Sequence, residues 1–109
     1  MTVAFEKWEG LGNHFVIVEE LPSDLRVQTL CDPRRGIGAD GVIIMGLNPP
    51  RMTIFNADGS RAAMCGNGLR CAARWLFERG IDLSAGIATD SGLMRVGEVS
   101  EAVTVVVGR

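Results

Sequence analysis

The sequence is short of several residue patterns that would point quickly to a function. It has one histidine, His14, and three cysteines, Cys31, Cys65 and Cys71, with no CxxC pair among them. A zinc site needs closely spaced Cys/His ligand pairs, so this inventory argues against bound metal. An odd thiol count, with no signal-peptide apolar core in "MTVAFEKWEG", argues against a disulfide framework. Reduced thiols in a cytoplasmic chain are the expectation. There is no basic run and no interleaving of aromatic with basic residues, and the formal charge is −2. That balance argues against nucleic acid or a membrane surface as the main partner. No apolar stretch approaches the roughly 20 residues of a membrane span. What is present is 47% hydrophobic and 22% charged residues over 109 positions. This composition is globular and suits one modest core in a single domain, 1–109.

"VAFEKWEG" and "HFVIVEEL" read as strands around the turn "GLGN". "PSDLRVQTLCD" reads as a short helix with Ser23 as its N-cap. "VIIMGL" and "PPRMTIFN" read as strands, and Asp58-Gly59 suits a turn with positive φ. After "CGNG" the period changes from 2 to 3.6. Leu69, Ala72, Ala73 and Leu76 fall at i, i+3, i+4 and i+7, Cys71 and Trp75 form another stripe, and Gly80 is a stop signal. The rest reads as strands, with turns at Asp90-Ser91-Gly92 and around Ser100. The order predicts an α+β fold, a largely antiparallel sheet wrapped around one central helix.

"GIGADG", at Gly36, Gly38 and Gly41, matches a dinucleotide fingerprint letter for letter. That chemistry needs a strand before the glycines and a helix after them, so that the helix N-terminus holds the pyrophosphate. Here an Arg-rich loop precedes and a strand follows, so the glycines read instead as a tight loop passing close to other backbone.

Cys65 stands at the predicted helix start, in "MCGNGLRCAARW". The first N–H groups of a helix lack internal partners, and the dipole adds positive charge there. A thiolate is stabilised at such a place, and a carboxylate can rest on the same donors. A cysteine can also serve as a small buried hydrophobe. The Gly-Asn-Gly that follows Cys65 favours the chemical role, whereas Cys31 and Cys71 lack such a frame and read as core.

"GLGNHFVIV", "RRGIGADGVI", "IFNADGS" and "MCGNGLRCAARW", in this order and spacing, closely resemble the N-terminal half of diaminopimelate epimerase. The resemblance runs from about Phe5 to the last strand. "MCGNG" separates it from the related phenazine-biosynthesis type, which lacks the catalytic cysteine. It implies a fold of two pseudo-symmetric α+β halves and an enzyme that needs neither metal nor cofactor. It also implies two cysteines on opposite faces of the substrate α-carbon, one removing the proton and one returning it. Cys65 matches the first, and Asn13, Asn56, Gly66 and Asn67 match substrate contacts.

The family usually has aspartate where this chain has His14, which reads as a loop or strand-edge histidine. Some members carry a substrate-contacting glutamine where this chain has Gly41. The second cysteine belongs to a C-terminal half that this chain does not include. Cys65 therefore needs that missing half or a second copy in a homodimer. The alternative is a non-catalytic module that at most binds an amino acid.

Overall fold

Alternation along the β-branched runs sorts the apolar side chains onto two faces. The computed structural model describes residues 5–10, 12–21, 25–62, 66–95 and 103–108. Within them lie β1 (Phe5–Gly10), β2 (Asn13–Val18), α1 (Val27–Cys31), β3 (Gly41–Leu47), β4 (Pro50–Asn56), β5 (Arg61–Ala62), α2 (Gly66–Glu78), β6 (Ile87–Thr89), β7 (Gly92–Met94) and β8 (Val103–Gly108). The strands form one sheet in the order β7-β6-β4-β3-β2-β1-β8, with β5 paired to β4 off that path. Pairing is largely antiparallel; β2–β3 and β4–β6 are parallel.

Trp8, Phe15, Ile17, Ile43, Met45, Met52 and Ile54 point to one face and bury α2 through Cys71, Ala72, Ala73, Trp75 and Leu76. Val16, Val18 and Val42 point to the other face, where α1 covers them with Val27, Leu30 and Cys31. The α+β expectation therefore holds, with α2 as the central helix. The predicted stripe is buried at Ala72, Ala73 and Leu76 and only partly at Leu69, while Cys71 and Trp75 are buried as well. Burying a side chain the size of Leu76 is worth about 1.5–3 kcal/mol.

The stop at Gly80 is a Schellman motif. Gly80 has φ 72°, its N–H donates to the Phe77 carbonyl at 3.0 Å, and the Ile81 N–H donates to Leu76 at 3.1 Å. The Asp58-Gly59 turn is also as expected, with Gly59 at φ 90°. Ser23 and the turn around Ser100 lie outside the described residues. The cap position of α1 is Arg26, later than the predicted Ser23, and it makes no side-chain capping bond.

The "GIGADG" loop closes the C-terminus of α1. The Ile37 N–H donates to the Leu30 carbonyl at 2.8 Å and the Ala39 N–H to Cys31 at 3.1 Å. These bonds satisfy carbonyls that the helix end leaves free. A Cβ at Gly36 would lie 2.1 Å from the Thr29 carbonyl oxygen and 2.4 Å from that of Leu30. Both obstacles are backbone and cannot swing aside. Gly36→Ala should lower stability by about 1–3 kcal/mol, as overpacking does. An unchanged urea midpoint would show that the loop has room.

Candidate active site

The substrate-contact positions inferred from the sequence gather at one end of the sheet, on the α2 face. The β1–β2 hairpin turns through Gly12, at φ 92°, and places Asn13 first on β2. Asn13 shares its face with Phe15 and Ile17. α2 begins above it: the Asn67 side-chain amide donates to the Asn13 side-chain carbonyl, joining positions 54 residues apart. The helix packs closely over Gly10. A Cβ there would lie 3.3 Å from Cys71 Sγ, a tight contact, and 3.5 Å from the Asn67 carbonyl oxygen, an ordinary one.

Asn56 ends β4 on the same face by strand alternation, in line with Met52 and Ile54. The registers Phe15↔Gly41 and Gly41↔Asn56 put Asn56 level with Phe15. Two strand spacings, about 10 Å, separate them. The Asn56 side-chain amide donates to Ser60 Oγ at 3.0 Å, and that hydroxyl donates to Asp58 Oδ1 at 2.6 Å. The bond from the Ser60 hydroxyl, followed by one from its backbone N–H, holds the Asp58 carboxyl below the usual carboxylate range. This short chain fixes which way Asn56 points.

Gly66 and Asn67 open α2, so their backbone N–H groups are among the four that a helix leaves without internal partners. Around Gly66 a built Cβ meets nothing within 4 Å among the described residues. Cys65, immediately before, lies outside the described residues. Leading toward it, β5 is tied down by Arg61, whose guanidinium grips Asp90 at 2.6 and 2.9 Å. That hydrogen-bonded pair lowers the Asp90 pKa and raises that of Arg61.

The remaining thiols sit in the two cores, as expected. Cys71 is 0% exposed under α2 and Cys31 is 5% exposed under α1. Burial, and then the nearby Asp40 charge, pushes the Cys31 pKa up. Both should resist alkylation by iodoacetamide in the native protein at neutral pH. Rapid labelling of either, read by mass spectrometry, would contradict their packing.

His14 follows Asn13 on β2 but faces the α1 side, with Nε2 3.1 Å from Glu9 Oε1. β2 is flanked by β1 and β3, so His14 stands near the start of an interior strand and not in a loop or on a sheet edge as expected. At Gly41 a Cβ would lie 2.6 Å from the Phe55 carbonyl oxygen, so this backbone leaves no room for a glutamine. Among the described residues no group of three or more His, Cys, Asp or Glu is placed to hold a metal ion. No described helix is long and apolar enough to cross a membrane.

The sequence reading did not single out Asp40 and Ser60, whose hydrogen bonds hold the candidate contact positions. Asp40 lies in an Ala-Asp-Gly at 39–41, and Ser60 follows a second one at 57–59.

The profile of the family described as diaminopimelate epimerase matches residues 5–109. The diaminopimelate epimerase of Caldanaerobacter subterraneus is 48% identical over 84 residues, covering 71% of this chain and 30% of that protein. That of Alkalilimnicola ehrlichii is 41% identical over 113 aligned residues, covering 88% and 39%. The chain thus spans about a third of the length of the curated relatives it matches. A putative phenazine biosynthesis PhzC/PhzF protein from Clostridium difficile superposes with a TM-score of 0.50 at 16% identity, over 84% of this chain and 38% of that one. That likeness concerns the fold alone. The match over nearly every position, together with the four motifs that now meet at one end of the sheet, places this chain in the diaminopimelate epimerase family.

Proposed function

We propose that residues 1–109 form one half of a cytoplasmic, cofactor-independent amino-acid epimerase that interconverts LL- and meso-diaminopimelate, and that this half supplies one of two catalytic thiols, Cys65. The observation that carries this reading is the start of α2. Gly66 and Asn67 open the helix there, where backbone N–H groups have no intrahelical partner, and Asn67 reaches across to Asn13.

The substrate α-carboxylate binds the first amides of α2, where the helix dipole favours an anion. Asn13, Asn56 and Asn67 offer amide donors and acceptors to the substrate's polar groups. Cys65, as thiolate, takes the α-proton and becomes a thiol. Negative charge spreads onto the carboxylate, where the same amides stabilise it. A second thiol on the opposite face gives its proton to the carbon and becomes a thiolate. Configuration is inverted, and the two cysteines have exchanged roles for the reverse reaction. The second thiol comes from a C-terminal half or from Cys65 of another copy in a homodimer.

The test is deuterium incorporation at the α-carbon of diaminopimelate in heavy water, run beside a molar-mass measurement under reducing conditions. Exchange by a dimer supports the paired-copy form. Exchange only when a C-terminal half is supplied supports the split form. Binding without exchange in both arrangements overturns the catalytic reading and leaves an amino-acid-binding module.

A further inference from the structure

Asn13 and Asn56 lie on different strands with β3 between them, so their separation depends on how the strand ends are held. One residue touches both ends. Asp40 stands just before β3 and is exposed. Its Oδ2 accepts the His14 N–H at 2.7 Å. Its own N–H donates to the His14 carbonyl at 2.8 Å, and its carbonyl accepts the Ala57 N–H at 3.1 Å. His14 follows Asn13 and Ala57 follows Asn56. Asp40 therefore bonds to the residue after each of the two asparagines.

We propose that Asp40 is a positioning residue: it pins the backbone beside Asn13 to the backbone beside Asn56 and so sets the distance between two substrate contacts. This rests on the function proposed above. Two of its three bonds are main chain, and the carboxylate completes the ring at His14. Without that bond only the Asp40 N–H to His14 carbonyl bond ties this end to the start of β3. Gly41 supports the same geometry, since its missing side chain lets the Phe55 carbonyl come close between Phe15 and Asn56. The carboxylate acts here as a hydrogen-bond acceptor of fixed reach, and its charge is secondary.

Three substitutions separate reach from charge. Asp40→Ala removes the acceptor. Asp40→Asn keeps an acceptor at the same reach and drops the charge. Asp40→Glu keeps the charge and moves the acceptor outward by one methylene. Affinity for diaminopimelate, measured on folded protein, should fall about tenfold for Ala and Glu and by less than about threefold for Asn. Wild-type affinity in the Glu variant with a large loss in Asn would overturn the proposal in favour of a charge effect. Amide exchange without ligand gives a second readout. His14, whose N–H loses its acceptor, should exchange faster in Asp40→Ala, while Ile17 in mid-strand should not. An unchanged rate at His14 overturns the pin. Should the unsubstituted protein bind no diaminopimelate, the proposed function falls, and amide exchange still decides whether Asp40 couples the two strand ends.

Discussion

Cys65→Ala should abolish deuterium incorporation at the α-carbon of diaminopimelate while leaving substrate binding within a small factor. The chemistry sets the size of the effect. Acid–base groups placed at the reacting atom contribute about 10²–10⁴-fold in rate. Neither remaining thiol can substitute, since Cys31 and Cys71 are sealed in the two cores. Cys65→Ser should be nearly as inactive, because a hydroxyl has far too high a pKa to serve as base even at a helix N-terminus. Binding should survive because, in the function proposed above, the carboxylate would rest on the α2 amides and the asparagines, which the substitution leaves in place. Two assays decide: exchange in heavy water and titration with substrate. Exchange persisting in the Ala variant would remove Cys65 from the mechanism. Lost binding together with lost exchange would mean that the variant had disturbed the pocket, and Cys65→Ser would then carry the test.

The largest expected effect on stability is at Trp75. The residue is 2% exposed and lies against β1 and β2. The Arg79 guanidinium stacks over its ring at 3.6 Å and donates to Glu6 at 3.0 Å, and the Trp8 indole N–H donates to the same Glu6 oxygen at 3.3 Å. Truncation opens a cavity and takes away the surface on which Arg79 rests. Trp75→Ala should cost about 3–5 kcal/mol. For a domain this small that lowers the melting temperature by about 12 °C or more. Trp75→Phe makes the account specific. It keeps an aromatic ring beneath Arg79 and removes an indole N–H that is buried with no hydrogen-bond partner among the described residues. An unpaired buried donor carries a penalty of about 1–3 kcal/mol, which offsets part of the volume lost. Phe should therefore lose less than half of what Ala loses. Equal losses in urea denaturation would show that the ring is not what matters at this position.

The elements most legible in the sequence were those specified locally. α2 announced itself through the 3.6-residue period at Leu69, Ala72, Ala73 and Leu76, and its end through Gly80. The candidate contacts Asn13 and Asn67 were legible as motif members, but the hydrogen bond between them was not, because nothing local relates positions 54 residues apart. The parallel pairs β2–β3 and β4–β6 were hidden for the same reason: direction is decided by the crossover and leaves no mark on alternation. Ser23 looked like a cap because residue type was the only guide, whereas α1 starts where Val27 and Leu30 can reach the sheet. Asp40 looked like one more polar residue in a glycine loop. Its importance comes from where the loop returns, beside both His14 and Ala57.

The pairing of β1 with β8, from Phe5↔Gly108 to Gly10↔Val103, bears on how the molecule assembles in time. Closing a loop of about 100 residues costs about 2 kcal/mol more than closing one of about ten. The β1–β2 hairpin needs only a turn at Gly12, so it can form early. The outer edge of β1 cannot be covered until β8 has been synthesised and has returned. During that interval a row of unpaired N–H and C=O groups is open to any passing strand. The alternating charges of β1, Glu6, Lys7 and Glu9, flank Trp8 on that edge and make stray pairing less favourable. The strand that leads into the hairpin carrying Asn13 thus also waits longest for its second neighbour.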